Sequence, residues 1–359
     1  MGKKLRVGII GCGGIANGKH MPSLAKIPEV EIVAFYDVFT EQAQKAAMEF
    51  GAVDAKVYSD YKELLQEDAI DVVHVCTPND SHAEITIAAL EAGKHVMCEK
   101  PMAKTSEEAR KMMEAAKRTG KKLSIGYQNR FRPDSQYLHK ICEQGALGEI
   151  YFAKALAIRR RAVPTWGVFL DEDKQGGGPL IDIGTHALDL TLWMMNNYKP
   201  KYVVGTTYHK LGSRRNAANA WGPWDPEKFK VEDSAFGFIV MENGATIVLE
   251  SSWALNTLQV GEAKTLLVGT EGGADMEDGL RINGEHLGRL YMQKIQLDGG
   301  GVDFYDGAKE KPADLEARLW IDSILHDTEP VVKPEEALVV TQILEAIYES
   351  AKTGAPVYF

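Results

Sequence analysis

Cysteine is scarce in this chain, and long apolar runs are missing altogether. Cys12, Cys76, Cys98 and Cys142 are the only four in 359 residues. Their spacing forms no paired metal-ligand motif, and three fall in or beside segments that read as buried strands, so reduced core thiols are expected. No hydrophobic stretch reaches the length of a membrane span. Met1-Gly2-Lys3-Lys4-Leu5-Arg6 leads directly into an apolar segment, with no signal-like stretch and no serine or threonine at the sixth position for myristoylation. The cytoplasm is the compartment this implies. Basic residues are in deficit, 41 against 51 acidic ones, for a formal charge of −10. That balance excludes nucleic acid and anionic membrane as general partners and leaves a small molecule as the expected one. Internal repeats and low-complexity segments are also absent, and the length suffices for two domains with separate cores.

What is present begins with glycine. The strand Val7-Gly8-Ile9-Ile10 runs into Gly11-Cys12-Gly13-Gly14-Ile15-Ala16, a G-x-G-x-x-G/A pattern with alanine in the last place. Gly11 permits the tight turn, Gly13 lets the backbone approach a pyrophosphate, and Ala16 allows close helix–strand packing. The following helix offers free N–H groups to an anion. A glycine pattern alone is weak; here a second strand, Glu31 to Asp37, ends in the acid that would accept hydrogen bonds from a ribose diol. The competing role for Asp37 is to cap the helix beginning near Glu41. A carboxylate at that ribose repels a 2′-phosphate, and Val38-Phe39-Thr40 supplies no arginine, so NAD is expected over NADP.

Strands and helices then alternate as in a doubly wound parallel sheet. Asp71 to Cys76 ends at Thr77-Pro78-Asn79, His95 to Cys98 ends at Glu99-Lys100-Pro101, and Lys122 to Gly126 is another strand. Thr105-Ser106-Glu107-Glu108 makes a capping box for a helix ending at Gly120. These connections gather Gly11, Asp37, Thr77, Glu99 and Tyr127 at one sheet edge, where ligands bind in such folds. A cis bond before Pro101 would fix the direction of Lys100.

Beyond Gly126 the pattern shifts to longer strands with hairpin punctuation, so the expected division is 1–126 and 127–359. Asn243-Gly244 reads as a two-residue turn and Asn283-Gly284 as a second. Runs of strands without helices between them predict a largely antiparallel sheet. Two helices close the chain, near Asp314 to His326 and Glu335 to Lys352. Within this part, Gly176-Gly177-Gly178-Pro179-Leu180-Ile181-Asp182-Ile183-Gly184-Thr185-His186 precedes an apolar helix. Asp182 and His186 would share a face of its first turn. On their own they are as readily a helix cap and a satisfied core histidine. Too few convergent ligands accompany them, even with Asp189, for a metal site.

Taken in order, Gly11 to Ala16, Thr77-Pro78-Asn79 with His82, Glu99-Lys100-Pro101, Asn129-Arg130-Phe131 and Gly177 to Asp189 resemble the glucose-fructose oxidoreductase, inositol dehydrogenase and rhizopine catabolism family, Gfo/Idh/MocA. The resemblance covers essentially the whole chain. It implies an α/β fold: an N-terminal Rossmann dinucleotide-binding domain plus a C-terminal α+β domain with a large, mostly antiparallel open sheet that often mediates homo-oligomers, dimers or tetramers. It also implies NAD(P)-dependent oxidation or reduction of a secondary alcohol of a sugar, cyclic polyol or glycoside. Lys100, Asp182 and His186 match the family's active-site lysine, aspartate and histidine. Cofactor contacts are expected from Gly11, Gly13, Gly14, Ile15 and Asp37. Thr77, Pro78, Asn79 and His82 are expected to join them, with Glu99, Lys100 and Gln128. Substrate contacts are expected from Lys100, Asn129, Arg130, Trp166, Asp182 and His186.

The chemistry accords with these residue types. Oxidising a carbinol sends a hydride to nicotinamide and a proton to a base, and imidazole titrates in a suitable range. The Lys100 charge favours an alkoxide-like oxygen, Glu99 would hold that ammonium or the nicotinamide ribose, and either Lys100 or His186 takes the proton. Glycoside cleavage or epimerisation through transient oxidation is the alternative, and a non-catalytic NAD sensor a third. Arg159-Arg160-Arg161 would meet a substrate anion or solvent. The irregular stretch Leu211 to Lys230, with Trp221 and Trp224, would contact a sugar ring or another subunit.

Overall fold

The computed structural model describes residues 4–297 and 310–359. Met1 to Lys3, part of the N-terminal segment considered above, lie outside them. The chain divides into two compact units, residues 1–128 with 310–338, and residues 129–309 with 339–359.

Six parallel strands form the first unit's sheet: β1 (Leu5–Ile10), β2 (Val30–Tyr36), β3 (Lys56–Tyr58), β4 (Val72–Val75), β5 (His95–Cys98) and β6 (Leu123–Ile125). Their order is β3-β2-β1-β4-β5-β6, which reverses direction between β1 and β4. Apart from the edge strand β3, the strands are short and largely buried, as covering on both faces requires. Because all run the same way, Gly11, Asp37, Thr77, Glu99 and Gly126 follow their carboxyl ends. The N-cap half of the capping box is in place: Thr105 Oγ1 accepts from Glu108 N at 3.2 Å, and Gly120 ends the helix at φ +65°.

Residues 310–338 belong with this unit, although the sequence division placed them in the second. Trp320 and Ile321 of the helix Pro312–Leu325 join a core with Val7, Met21, Leu24 and Phe35. Lys26 pairs with Asp314 at 2.7 Å, and Lys19 with Glu316 at 2.8 Å.

Among the described residues, the second unit carries nine strands: β7 (Ile150–Ile158), β8 (Pro200–Tyr208), β9 (Ser234–Met241), β10 (Thr246–Ser252), β11 (Gly261–Gly269), β12 (Gly272–Asp275), β13 (Arg281–His286), β14 (Arg289–Lys294) and β15 (Val357–Tyr358). Their order is β14-β13-β12-β11-β7-β10-β9-β8-β15, antiparallel except for β10 beside β7. Helices Thr185–Met195 and Pro334–Thr353 cover one face; Ile347 lies where Gly205 and Gly237 leave space for it.

Both hairpin expectations need correction. The β9–β10 loop has three residues, Glu242, Asn243 and Gly244: Gly244 N–H donates to Met241 O, Met241 N–H donates to Ala245 O, and Gly244 alone takes a positive φ, +88°. That is a turn closed by a glycine bulge rather than a two-residue turn. Asn283 and Gly284 lie within β13, and the turn falls at Leu287 and Gly288, with φ +50° and +70°. Gly284 serves packing instead. The Tyr291 ring on β14 occupies its side-chain space, with the hydroxyl 2.9 Å from where a Cβ would stand.

Among the described residues, no helix is long and apolar enough to cross a membrane.

Candidate active site

In the first unit the glycine turn is built for close approach. A Cβ on Gly11, at φ +91°, would lie 2.6 Å from Cys76 O, whereas one on Gly13 or Gly14 would meet nothing within 4 Å. The first glycine is therefore required by the turn, and the others leave room for a group outside it. Ala16 is fully buried against the sheet, and Ile15 is partly exposed. The helix that follows is widened, with a π segment over Ala16–His20 before the α-helical Met21–Leu24.

Asp37 closes this turn. Its Oδ2 accepts from Cys12 N at 2.7 Å and its Oδ1 from Phe39 N at 2.8 Å, so both oxygens are oriented while each keeps a lone pair for a ribose hydroxyl. It is not the N-cap of the next helix; Phe39 holds that position, with no side-chain cap. Thr77 Oγ1 accepts from Ser81 Oγ at 2.7 Å, Pro78 precedes the short 3₁₀ turn Asn79–Ser81, and Asn79 is buried. Gln128 opens another 3₁₀ turn, Gln128–Phe131, which also holds Asn129 and Arg130.

His82 has a different job from the cofactor contact expected of it. Its Nδ1 lies 2.8 Å from Pro101 O and its Nε2 2.9 Å from Thr77 O. Carbonyls only accept, so both nitrogens donate and the ring is an imidazolium. Burial opposes the charge, but Cys98 and the two carbonyls outweigh it and push the histidine up to about 9. The ring thereby braces the Thr77 and Pro101 loops. The Lys100–Pro101 bond is cis, as expected.

Glu99 also turns away from its expected role. Its Oε1 accepts from Lys19 Nζ and His20 Nε2, both at 2.8 Å, and its Oε2 accepts from the backbone N of Lys100 at 3.1 Å. What Glu99 grips is the lysine's main chain. Burial raises its pKa, but Lys19 and His20 outweigh burial and hold the carboxyl well below the usual range. Lys19 reaches Glu316 as well, and His20 Nδ1 meets His74 Nδ1 at 2.9 Å. Burial, then His20 and Lys19, hold His74 well below its ordinary value, so it is neutral. The His74 Nε2 has no hydrogen-bond partner among the described residues. Sequence reasoning missed this network because its members are distant in the chain. The π segment supplies its geometry, turning the consecutive Lys19 and His20 both inward.

In the second unit, Leu180–Gly184 forms a π turn, with Thr185 N–H donating to Leu180 O, ahead of the α-helix Thr185–Met195. Such widened turns recur at functional sites. Asp182 lies inside the turn and does not cap it; its Oδ2 accepts from Trp253 Nε1 at 3.0 Å. His186 is buried in the first α-helical turn. The glycine run is shaped by Glu232, whose carboxylate accepts from Gly178 N at 2.8 Å, Leu180 N at 3.1 Å and Tyr348 Oη at 2.9 Å. A Cβ on Gly178 would lie 2.3 Å from Glu232 O, and one on Gly177 2.0 Å from Tyr348 Oη. Glu232 and Trp253 were not singled out in the sequence, where one resembles a strand-entry acid and the other a core aromatic.

Arg130 is corrected from substrate contact to internal brace. It is fully buried; its Nη2 and Nε reach Asp189 at 2.6 and 3.0 Å, and it stacks over Trp193 at 5.4 Å. Arg159 is bound through two nitrogens to Glu262, both contacts at 2.7 Å, and Arg161 donates to Asn256 Oδ1 at 2.5 Å. Trp224 is buried with its indole N–H on Gly212 O, while Trp166 and Trp221 are half exposed.

A parallel sheet reversing beside a glycine turn, with a ribose-competent acid on the next strand, defines a dinucleotide-binding protein of the Rossmann class. Residues 5–127 match the model described as oxidoreductase family, NAD-binding Rossmann fold, and residues 135–275 match the GFO/IDH/MocA C-terminal domain. The chain belongs to the Gfo/Idh/MocA family. It is 37% identical over 358 residues to D-glucoside 3-dehydrogenase of Escherichia coli (strain K12), covering 98% of this chain and 97% of that protein. An oxidoreductase domain protein from Kribbella flavida superposes with a TM-score of 0.85 at 25% identity, over 99% of both chains. Levoglucosan dehydrogenase, solved with NADH and levoglucosan, shares the fold at a TM-score of 0.82 and 24% identity, again over 99% of both chains.

Proposed function

We propose that this enzyme oxidises the hydroxyl at carbon 3 of a D-glucoside, with Lys100, Asp182 and His186 as the reacting set. The observation that carries this is the Asp182 carboxylate, oriented by the Trp253 indole in a π turn directly before a buried histidine. A carboxylate oriented by a rigid donor suits recognition of a sugar hydroxyl. The full-length similarity to a D-glucoside 3-dehydrogenase supports the substrate class. NAD, when bound, supplies the hydride acceptor; the open space at Gly13 and Gly14, the fixed Asp37 and the loops braced by His82 fit it. The C–H bond at carbon 3 gives up its hydride, His186 takes the hydroxyl proton, and the Lys100 ammonium stabilises the alkoxide-like oxygen, leaving a ketone. Thr77, Pro78, Asn79 and Gln128 contact the cofactor, and Asn129 and Trp166 the substrate.

Purified protein incubated with NAD and methyl glucosides is expected to release NADH over many turnovers. Lys100→Ala or His186→Ala lowers turnover roughly a hundredfold or more, the scale of an acid–base group, with NADH affinity nearly unchanged. Undiminished turnover in both variants would overturn the assignment. Glycoside consumption without net NADH would mark the cleavage route instead.

A second copy of the chain is the proposed macromolecular partner, seated on the open face of the large sheet. There Val204, Phe238 and Val248 are cross-strand neighbours on β8, β9 and β10, with Phe238 44% and Val204 39% exposed. Contiguous apolar area of this kind marks an interface.

A further inference from the structure

Trp166 and Trp221 are 51% and 45% exposed, yet each is held by ring contacts and hydrogen bonds of its own segment. Their rings meet edge to face at 4.9 Å. The segment carrying Trp221 is pinned to the one carrying Trp166. Asn219 accepts from Val163 N at 2.8 Å and donates to Val163 O at 2.9 Å; Ala220 N donates to Arg161 O, and Thr165 Oγ1 to Trp221 O, each at 3.1 Å. An ordinary surface loop has no need of two half-exposed indoles held this way.

The pair connects to Asp182 through a run of aromatic contacts that ends in a hydrogen bond. Trp166 meets Phe169 at 5.9 Å, Phe169 meets Trp253 at 6.5 Å, and Trp253 donates to Asp182. The wall is therefore the outer end of a continuous aromatic track that starts at Asp182. The cation that touches it is engaged elsewhere. Arg159 stacks over Trp221 at 5.6 Å, but its guanidinium is taken by Glu262. An anion arriving here finds that cation already paired, whereas an uncharged ring finds two indole surfaces.

We propose that Trp166 and Trp221 form the aglycone subsite: when the reacting sugar of a glycoside sits at Asp182 and His186, its uncharged aryl group or second sugar ring rests on these two indoles. This rests on the glucoside reading above. It makes the group attached to the sugar, and not the sugar alone, a determinant of specificity.

The test uses the full chain with NAD and compares kcat/KM for phenyl glucosides of both anomers with the matching methyl glucosides. The native protein is expected to prefer a phenyl glucoside. Trp221→Ala and Trp166→Ala lower the phenyl-to-methyl ratio about tenfold, equivalent to ~1.4 kcal/mol, and Trp221→Phe keeps most of it. A ratio equal in native protein and both alanine variants overturns the proposal, whether or not overall activity falls, since structural damage lowers both substrates alike. The same holds if Trp221→Ala changes sedimentation but not the ratio, which marks the wall as a contact between copies, or if phenyl glucosides bearing a carboxylate are preferred. If the native protein oxidises no glucoside, the function fails separately, and tryptophan fluorescence judges the wall: saturable quenching by phenyl glucoside that Trp221→Ala abolishes supports it, and no quenching overturns it.

Discussion

One buried histidine makes the first unit sensitive to alkaline pH. His82 is charged because both ring nitrogens face carbonyl oxygens, and its pKa near 9 lies above that of a histidine in an unfolded chain. A raised value means that the folded state binds the proton more tightly. The stabilisation is complete below about pH 6.5 and fades as pH climbs through 9. Denaturant melts of native protein and His82→Gln should differ by an amount on the order of 3 kcal/mol near neutrality, and the gap should narrow by about pH 10. A gap independent of pH would show the ring to be uncharged. At this scale the sequence was readable where one residue acts on its neighbours: Gly11 in its turn, Asp37 after its strand, proline after Lys100. It was unreadable where the partner is remote. Glu99 stands beside Lys100 in sequence, but its carboxylate answers to Lys19 and His20, and nothing local announces that.

Among the elements, a π segment in each unit shapes the candidate residues of that unit. One turns Lys19 and His20 inward together; the other presents Asp182 to Trp253. Neither shows in hydrophobic periodicity, because five residues of wider winding leave the apolar pattern nearly that of an α-helix. The second is held open by Glu232. Replacing it with glutamine leaves one oxygen to accept where two did, from Gly178 N, Leu180 N and Tyr348 Oη. Glu232→Gln is expected to lower kcat about tenfold or more, the effect of losing a supporting hydrogen-bond partner, and Tyr348→Phe less. NADH affinity should stay the same in both, measured by fluorescence titration; a loss of NADH binding would place the damage in the first unit instead. The hairpins repeat the lesson from the other side. Asn283-Gly284 has the composition of a turn, yet the Tyr291 ring claims the space beside that glycine, and the chain reverses four residues later.

For the molecule as a whole, alternation of strands and helices and then strands alone was enough to anticipate a parallel sheet followed by a mostly antiparallel one. The open sheet face leads to an expectation about assembly. Phe238→Glu places a charge among Val204, Val248 and their neighbours, and sedimentation should then show a smaller species than the native protein at equal concentration. An unchanged sedimentation coefficient would remove that face as the contact. Less legible was the return of residues 310–338 to the first unit, because an amphipathic helix carries no mark of which core it will join. That return bears on how the protein is made. On the ribosome the N-terminal sheet is synthesised early, but Lys19 lacks its second carboxylate and the core around Met21 and Phe35 lacks Trp320 and Ile321 until most of the chain has emerged. The nascent first unit thus waits, with an unfinished apolar surface, through the synthesis of the entire second sheet.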